Sequence, residues 1–156
     1  MPLEFRTVSP SELSRFEPLI IDSFEPVTWA RRVDEVFGPM NGRDWRARWQ
    51  SRVAKIFETQ ILLAAEDGGE PVAFSSGTYD AETRMAYIDL VGVSRAHQGR
   101  GYGRQMLRGM LRHLKTLGAE HAHLDCLTDN DTANALYRSE GFVEVARHIR
   151  WFIKIE

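Results

Sequence analysis

The stretch from Val91 to Gly118 limits what this chain can fold into more than any other part of the sequence. An apolar strand ends near Val93, and three glycines follow at alternate positions before a helix predicted over 101–117, which Gly118 ends as a C-terminal cap. The apolar stripe of that helix consists of Met106, Leu107, Met110, Leu111, Leu114 and Leu117. Glycines allow close backbone approach, and a helix start presents free N–H groups, so this loop is a candidate cradle for a pyrophosphate.

Periodicity in the rest of the sequence predicts the element order β-α-α-β-β-β-α-β-α-β. The predicted strands are 4–8, 60–66, 71–79, 85–93, 121–127 and 142–155, and the other helices are 9–22, 43–58 and 129–139. A capping box of Ser9 and Glu12 begins the first helix, and Asn41 is expected to cap the second. Residues 23–41 are rich in proline and glycine and are predicted to be loop with a short helical piece. This order describes one mixed α/β (α+β) domain over 1–156 with a largely antiparallel central sheet.

Composition excludes several functional classes. The chain has 156 residues, a net charge of −2 and 43% apolar residues, so we expect one globular domain without a basic field for nucleic acid or an anionic membrane. The longest apolar run, 61–65, is far shorter than the ~20 residues that span a bilayer. The first residues lack a signal-peptide pattern, so a cytoplasmic location is expected. Cys126 is the single cysteine, and His121 and His123 lack a third nearby ligand, so we expect neither a disulfide nor a metal site.

Two familiar phosphate motifs do not fit the glycine loop. A P-loop needs Gly-Lys-Ser/Thr at its end, whereas Gly103 is followed by Arg104. The dinucleotide fingerprint, started at Gly101, needs a glycine where Met106 stands. A different recognition pattern must therefore account for the loop.

The spacing Gln98-x-x-Gly101-x-Gly103 resembles the acyl-coenzyme A motif of the GNAT superfamily of N-acetyltransferases. Downstream, Asn130-x-x-Ala133-x-x-Leu136-Tyr137, followed by Gly141-Phe142, resembles the second signature of that family. The two motifs together cover about residues 60–145. The resemblance implies a sheet split near its middle and acetyl-CoA as cosubstrate.

The resemblance also implies which residues bind the cofactor. The loop amides would hold the pyrophosphate. The amides of Val91 and Val93 would bind the pantetheine arm and the acetyl carbonyl, and Asn130 would also contact the pantetheine arm. The predicted loop residues are Gln98, Gly99, Arg100, Gly101, Tyr102, Gly103 and Arg104. Of the arginines spaced four apart along the helix, we expect Arg100 and Arg104 to meet the ligand and the later two to face solvent.

Acetyl transfer needs a proton for the leaving thiolate and a neutral amine. Tyr137 matches the tyrosine that commonly supplies the proton in the family. Asp89 is a candidate base because an ideal strand places it on the same side as Val91 and Val93. The family's usual glutamate falls on Tyr87 instead, so Asp125 and a water relay remain alternatives.

Other residues favour structural interpretations. Cys126 is read as a small buried hydrophobe rather than a nucleophile, and Trp45 and Trp49 as core rather than acceptor pocket. Two rival functions remain open: a non-catalytic acyl-CoA binding or sensing domain, and an RNA-binding module, which the acidic total disfavours.

The acceptor and the assembly are the least defined features. The acceptor is an amine of a small molecule or a peptide, and its specificity is expected to reside in residues 20–45 and the final strand. Residues 142–155 contain no Gly, Pro, Asn or Asp to turn them, so that strand would expose a long apolar edge. We expect a homodimer that covers it, with an ordinary monomeric hairpin as the alternative.

Overall fold

A five-stranded sheet lies at the centre of the computed structural model, which describes residues 2–156. The strands follow chain order, and each neighbouring pair is antiparallel except the last, which is parallel. The elements are β1 (Glu4–Thr7), α1 (Leu13–Phe24), α2 (Trp29–Phe37), α3 (Trp45–Thr59), β2 (Ile61–Asp67), β3 (Glu70–Asp80), β4 (Met85–Val93), α4 (Tyr102–Leu117), β5 (His121–His123) and α5 (Asp131–Ser139). The predicted fold class is confirmed. Within residues 2–156, no helix is long and apolar enough to cross a membrane.

Each face of the sheet has its own apolar core. On one face, α1 and α3 pack against the sheet around Phe16, Phe57 and Phe74, and the rings of Phe57 and Phe74 stack at 5.6 Å. On the other face, α4 buries Met106 and Met110 against β2, β3 and β4. This two-sided burial explains why the middle strands read as continuous apolar runs.

Two of the three predicted helix ends are confirmed. Ser9 and Glu12 form the capping box, which begins a short 3-10 turn before α1, and Gly118 ends α4 with φ +111°. Asn41 does not cap α3. The Oδ1 atom of Asp44 accepts a hydrogen bond from the amide of Ala47 instead, so the helix begins at Trp45.

The prediction for residues 23–41 underestimated their helix content. Thr28 caps α2, a helix of nine residues, so three helices rather than two separate β1 from β2. Contacts with α3 hold α2 in place: Trp49 donates through Nε1 to Thr28 Oγ1, and Arg48 donates to Asp34 at 2.7 Å. Tertiary contacts thus outweigh the local proline and glycine content.

The predicted last strand, 142–155, is wrong. Residues 141–156 contain no helix or strand, and β5 ends at His123 rather than at residue 127. The segment lies along α2 instead, where the guanidinium of Arg150 lies over the Trp29 ring at 4.2 Å and Phe152 packs on Phe37 at 5.4 Å. Because β5 is so short, residues 124–127 offer no ladder with which a sixth strand could pair.

Candidate active site

A bulge in β4 determines which way its side chains point. Ser76 pairs with Leu90 and Gly77 pairs with Ile88, so Asp89 is the extra residue. The two consecutive residues Asp89 and Leu90 therefore both face α1 and α3. Gly77 is required here because a Cβ would collide with the carbonyl oxygen of Tyr87.

This bulge overturns one sequence-based expectation. Val91 and Val93 pack with the α4 core, whereas Asp89 contacts α3, so Asp89 does not share their side of the strand. The ideal alternation assumed for a regular strand is reversed by one extra residue.

The sheet opens beyond the first three residues of β4. Only Met85–Tyr87 pair with His121–His123, and the following residues of β4 have no strand beside them on that edge. The amide of Ser94 donates to Val72 on the opposite edge at 2.8 Å. Because successive backbone groups alternate, the amides of Val91 and Val93 face the open edge. The predicted split is thus present, with backbone donors along it.

The glycine loop continues directly from this open edge. Gly99 and Gly101 have φ of +80° and +78°, and no other atom lies within 4 Å of where a Cβ would stand. Gln105 donates to the carbonyl oxygen of Gly101 at 3.3 Å, so the amides of 102–104 precede the first hydrogen bond of α4. The side chain of Gln98 braces the loop by donating to the Val93 carbonyl at 3.2 Å. The loop therefore forms an open cradle at the positive end of a 16-residue helix.

The arginines of α4 do not separate into ligand-facing and solvent-facing residues as predicted. Arg104 and Arg108 both donate to Glu140, and their hydrogen bonds lower the pKa of that carboxyl. Arg112 lies over the Phe5 ring at 5.4 Å, so neither of the two later arginines is simply solvated. Arg100, which lies within the loop, is exposed and makes no ion pair with any residue in 2–156.

The helix α5 carries two residues of the predicted site, Asn130 at its N-cap and Tyr137 within it. Asn130 caps the helix, accepting a hydrogen bond from the amide of Ala133 at 3.3 Å, so its side-chain oxygen is already engaged. Tyr137 packs against Phe142 with ring centroids 5.7 Å apart. Burial, reinforced by Cys126 and Asp125, raises the pKa of Tyr137 to about 12. Its phenol therefore keeps its proton throughout the neutral range.

The two candidate carboxylates have different surroundings. Asp89 is 11% exposed and accepts hydrogen bonds from Arg52 at 2.7 Å and from Gln60 at 2.8 Å. Asp125 is 61% exposed, and its Oδ2 atom lies 3.4 Å from the Tyr87 hydroxyl. Burial, followed by the charge of Asp125, raises the pKa of Tyr87 to about 12. Asp125 is the more open of the two.

A pocket of about 280 Å³ lies against the guanidinium of Arg52. Its apolar walls are Trp29, Ala30, Val33, Met40, Trp49 and Phe152, and Arg48 and Arg52 complete the lining. Trp49 is thus both core, as predicted, and pocket wall, whereas Trp45 is core alone. Trp29 and Phe152 lie within residues 20–45 and the C-terminal segment, where the sequence predicts acceptor specificity, whereas Arg52 lies outside both. No local pattern predicts that these three residues line one pocket, because they meet only after folding.

Cys126 lies in a partly buried environment. The thiol is half-buried between Asp125 and the following loop, and burial raises its pKa above the usual value. A raised thiol pKa reduces the thiolate population at neutral pH, consistent with the structural interpretation.

The sheet of this protein is split, and its open edge leads into a glycine loop at the start of a helix. Proteins of this class can hold an extended ligand that carries phosphate groups. Residues 27–142 match the profile of the Acetyltransferase (GNAT) family. The chain belongs to this family, which confirms the resemblance drawn from the two motifs.

Curated relatives support the same family. Mycothiol acetyltransferase of Corynebacterium efficiens is 30% identical over 125 residues, which are 78% of this chain and 42% of that protein. The N-alpha-acetyltransferase RimI of Mycobacterium tuberculosis is 42% identical over 65 residues, which are 42% of this chain and 39% of that protein. The chain thus spans about four tenths of the length of these relatives.

Solved structures show the same fold. PaiA N-acetyltransferase of Thermoplasma acidophilum, solved with coenzyme A, has a TM-score of 0.68 at 14% identity and covers 92% of this chain and 91% of its own. An aminoglycoside acetyltransferase from an uncultured soil sample has a TM-score of 0.66 at 23% identity, covering 99% of this chain and 100% of its own. At these identities the likeness establishes architecture and leaves the acceptor open.

Proposed function

We propose that this chain transfers the acetyl group of acetyl-CoA to a primary amine by direct attack within a ternary complex. The observation that carries the proposal is a pair of backbone donor sites: the amides of Val91 and Val93 on the open edge of β4, and the amides of 102–104 in the first turn of α4. Such a pair matches a ligand that has an amide-rich arm ending in a diphosphate. The GNAT relatives named above, including one solved with coenzyme A, support the same cosubstrate.

Each part of the site would have a separate role in cofactor binding. The amides of 99–104 would hold the pyrophosphate, with Arg100 adding a cation, and the amides of Val91 and Val93 would hold the arm and the acetyl carbonyl. Arg104 can bind the cofactor only if it breaks its hydrogen bond to Glu140. Asn130 can bind the cofactor only through its side-chain amide nitrogen, because its oxygen caps α5. Acetyl-CoA, when bound, supplies an activated thioester whose thiolate departs.

Tyr137 is the proposed general acid. A partly buried phenol whose pKa is about 12 stays protonated at neutral pH and can donate to a thiolate as it forms. Tyr137 lies on α5 and is close enough to Cys126 and Asp125, which follow β5, for both to raise its pKa.

The proton of the amine would leave through a carboxylate, directly or through water. Asp89 is held by two donors, so its proposed role as base competes with its bond to Arg52. Asp125 has no hydrogen bond as short as those of Asp89, and it is the alternative candidate for the base. Kinetics of Asp89→Asn and Asp125→Asn separate them, because the variant that lacks the base loses kcat at unchanged CoA affinity, whereas the other variant keeps its turnover.

A homodimer is proposed for the C-terminal segment. Six apolar side chains in 143–155 occur at odd positions and are between 74% and 91% exposed: Val143, Val145, Ile149, Trp151, Ile153 and Ile155. The two-residue spacing is that of a strand buried on one face, and a second copy would present the same strip in return. Sedimentation at micromolar concentration should give a dimer, and Ile149→Lys with Ile153→Lys should give a monomer. A monomeric wild-type protein would contradict the proposal.

One experiment separates catalysis from the alternative of acyl-CoA sensing. Binding of CoA is measured by calorimetry, and release of free thiol from acetyl-CoA is followed with a panel of primary amines. Amine-dependent thiol release supports transfer. Binding without any amine-dependent release supports a sensing domain.

A further inference from the structure

We propose that the pocket beside Arg52 selects a primary amine that carries one bulky apolar or aromatic group. This inference rests on the proposed acetyl transfer and concerns the acceptor. The pocket volume of about 280 Å³ lies just below the usual range for ligand sites, which is about 300–1,000 Å³. It accommodates a single ring or branched chain rather than a multi-ring sugar.

The pocket walls favour an apolar guest. Trp29 and Trp49 contribute aromatic surface to the lining, and Val33 and Met40 contribute apolar surface from aliphatic and thioether side chains. Phe152 covers the remaining side from the C-terminal segment, which Phe37 holds in place. An apolar group leaving water for these walls gains free energy in proportion to the area that it buries.

The charges around the pocket disfavour a polycation. Arg48 donates to Asp34 and to the carbonyl oxygen of Ala30, and Arg52 donates to Asp89, so each lining cation is already compensated. None of the described residues that line the pocket is a carboxylate. Additional ammonium groups of a polyamine or an aminoglycoside would enter without a partner, at a large desolvation cost.

The pocket also lies close to the proposed reaction centre. Arg52 forms part of its lining and bonds to Asp89 at the β4 bulge, and Val91, whose amide faces the open edge, is two residues further on. An apolar group in the pocket would therefore leave its amine near the strand that is proposed to hold the acetyl carbonyl.

The test compares acceptors that differ in one feature. Turnover is measured with 2-phenylethylamine, ethylamine and spermidine, and binding of each amine is followed independently through tryptophan fluorescence, since two tryptophans line the pocket. We expect kcat/KM for 2-phenylethylamine to exceed that for ethylamine by about 10- to 100-fold, as burial of one ring implies. Spermidine should be the weaker acceptor despite its additional amines.

Variants locate the preference in the pocket. Phe152→Ala, at a half-exposed position, should reduce the preference for 2-phenylethylamine by about tenfold, whereas Val36→Ala, at an exposed position of α2 outside the pocket lining, should leave it unchanged. Equal use of all three amines, preference for spermidine, or an unchanged preference in Phe152→Ala would overturn the inference while acetyl transfer stands. If no amine is acetylated, the proposed function fails, and the fluorescence titrations still decide whether the pocket selects apolar amines.

Discussion

The hydroxyl of Tyr102 donates to Asp67 Oδ2 at 2.9 Å, which joins the first residue of α4 to the last residue of β2. The Tyr102 ring also lies beside that of His97, with centroids 6.3 Å apart. Neither motif includes Asp67, yet this contact holds the glycine loop against the rest of the sheet. The loop is thus positioned from a distant part of the sequence.

We therefore expect Tyr102→Phe to weaken CoA binding by about three- to tenfold, the loss of one partly buried hydrogen bond to a charged group. Calorimetric titration with CoA measures this loss. Asp67→Asn retains an acceptor and should lose less. Equal affinity in Tyr102→Phe and wild type would show that the tether does not position the loop.

Gly101→Val should reduce CoA affinity by about tenfold or more, because φ of +78° strains a β-branched residue and the side chain fills the cradle. Gly42→Val is a matched control, since Gly42 has φ of +72° and equally open surroundings but lies far along the chain from the loop. Both variants should lose about 1–2 kcal/mol of stability, and only the first should lose affinity. Similar affinity in both would remove the loop from the binding site.

Tyr137→Phe should lower kcat by ~10²-fold and leave CoA affinity nearly unchanged, since the hydroxyl acts on the departing thiolate. The raised pKa of about 12 keeps the phenol protonated, so kcat of the wild type should show no decline from Tyr137 ionisation below pH ~11. The pH profile and CoA titration together check this. Wild-type turnover in the variant would restrict Tyr137 to packing.

Gly77→Ala should destabilise the fold by about 1–3 kcal/mol, because the new methyl group would collide with the Tyr87 carbonyl at the β4 bulge. Denaturant unfolding measures the change. Gly103→Ala is the comparison: its Cβ would make ordinary contacts of 3.7 Å to Val93 and 3.8 Å to Leu136, and stability should be unchanged or slightly higher. Equal stability of both variants would mean that β4 can yield at the bulge.

The sequence by itself determined the elements whose signals are local. The α4 stripe with its Gly118 cap, the Ser9 capping box and the span of β4 all follow from side-chain spacing or a cap within a few residues. The glycine loop likewise carries its own conformational requirement in positive φ values. These features needed no information from elsewhere in the chain.

Tertiary structure decided what depends on distant partners. The side of the sheet that Asp89 faces depends on a bulge opposite Gly77, and α2 depends on contacts of Thr28 and Asp34 with α3. Residues 142–155 have strand-forming composition but no strand to pair with, since the sheet has already split beyond Tyr87. Periodicity reports which residues can share a face, whereas pairing partners and register arise only when separate segments meet.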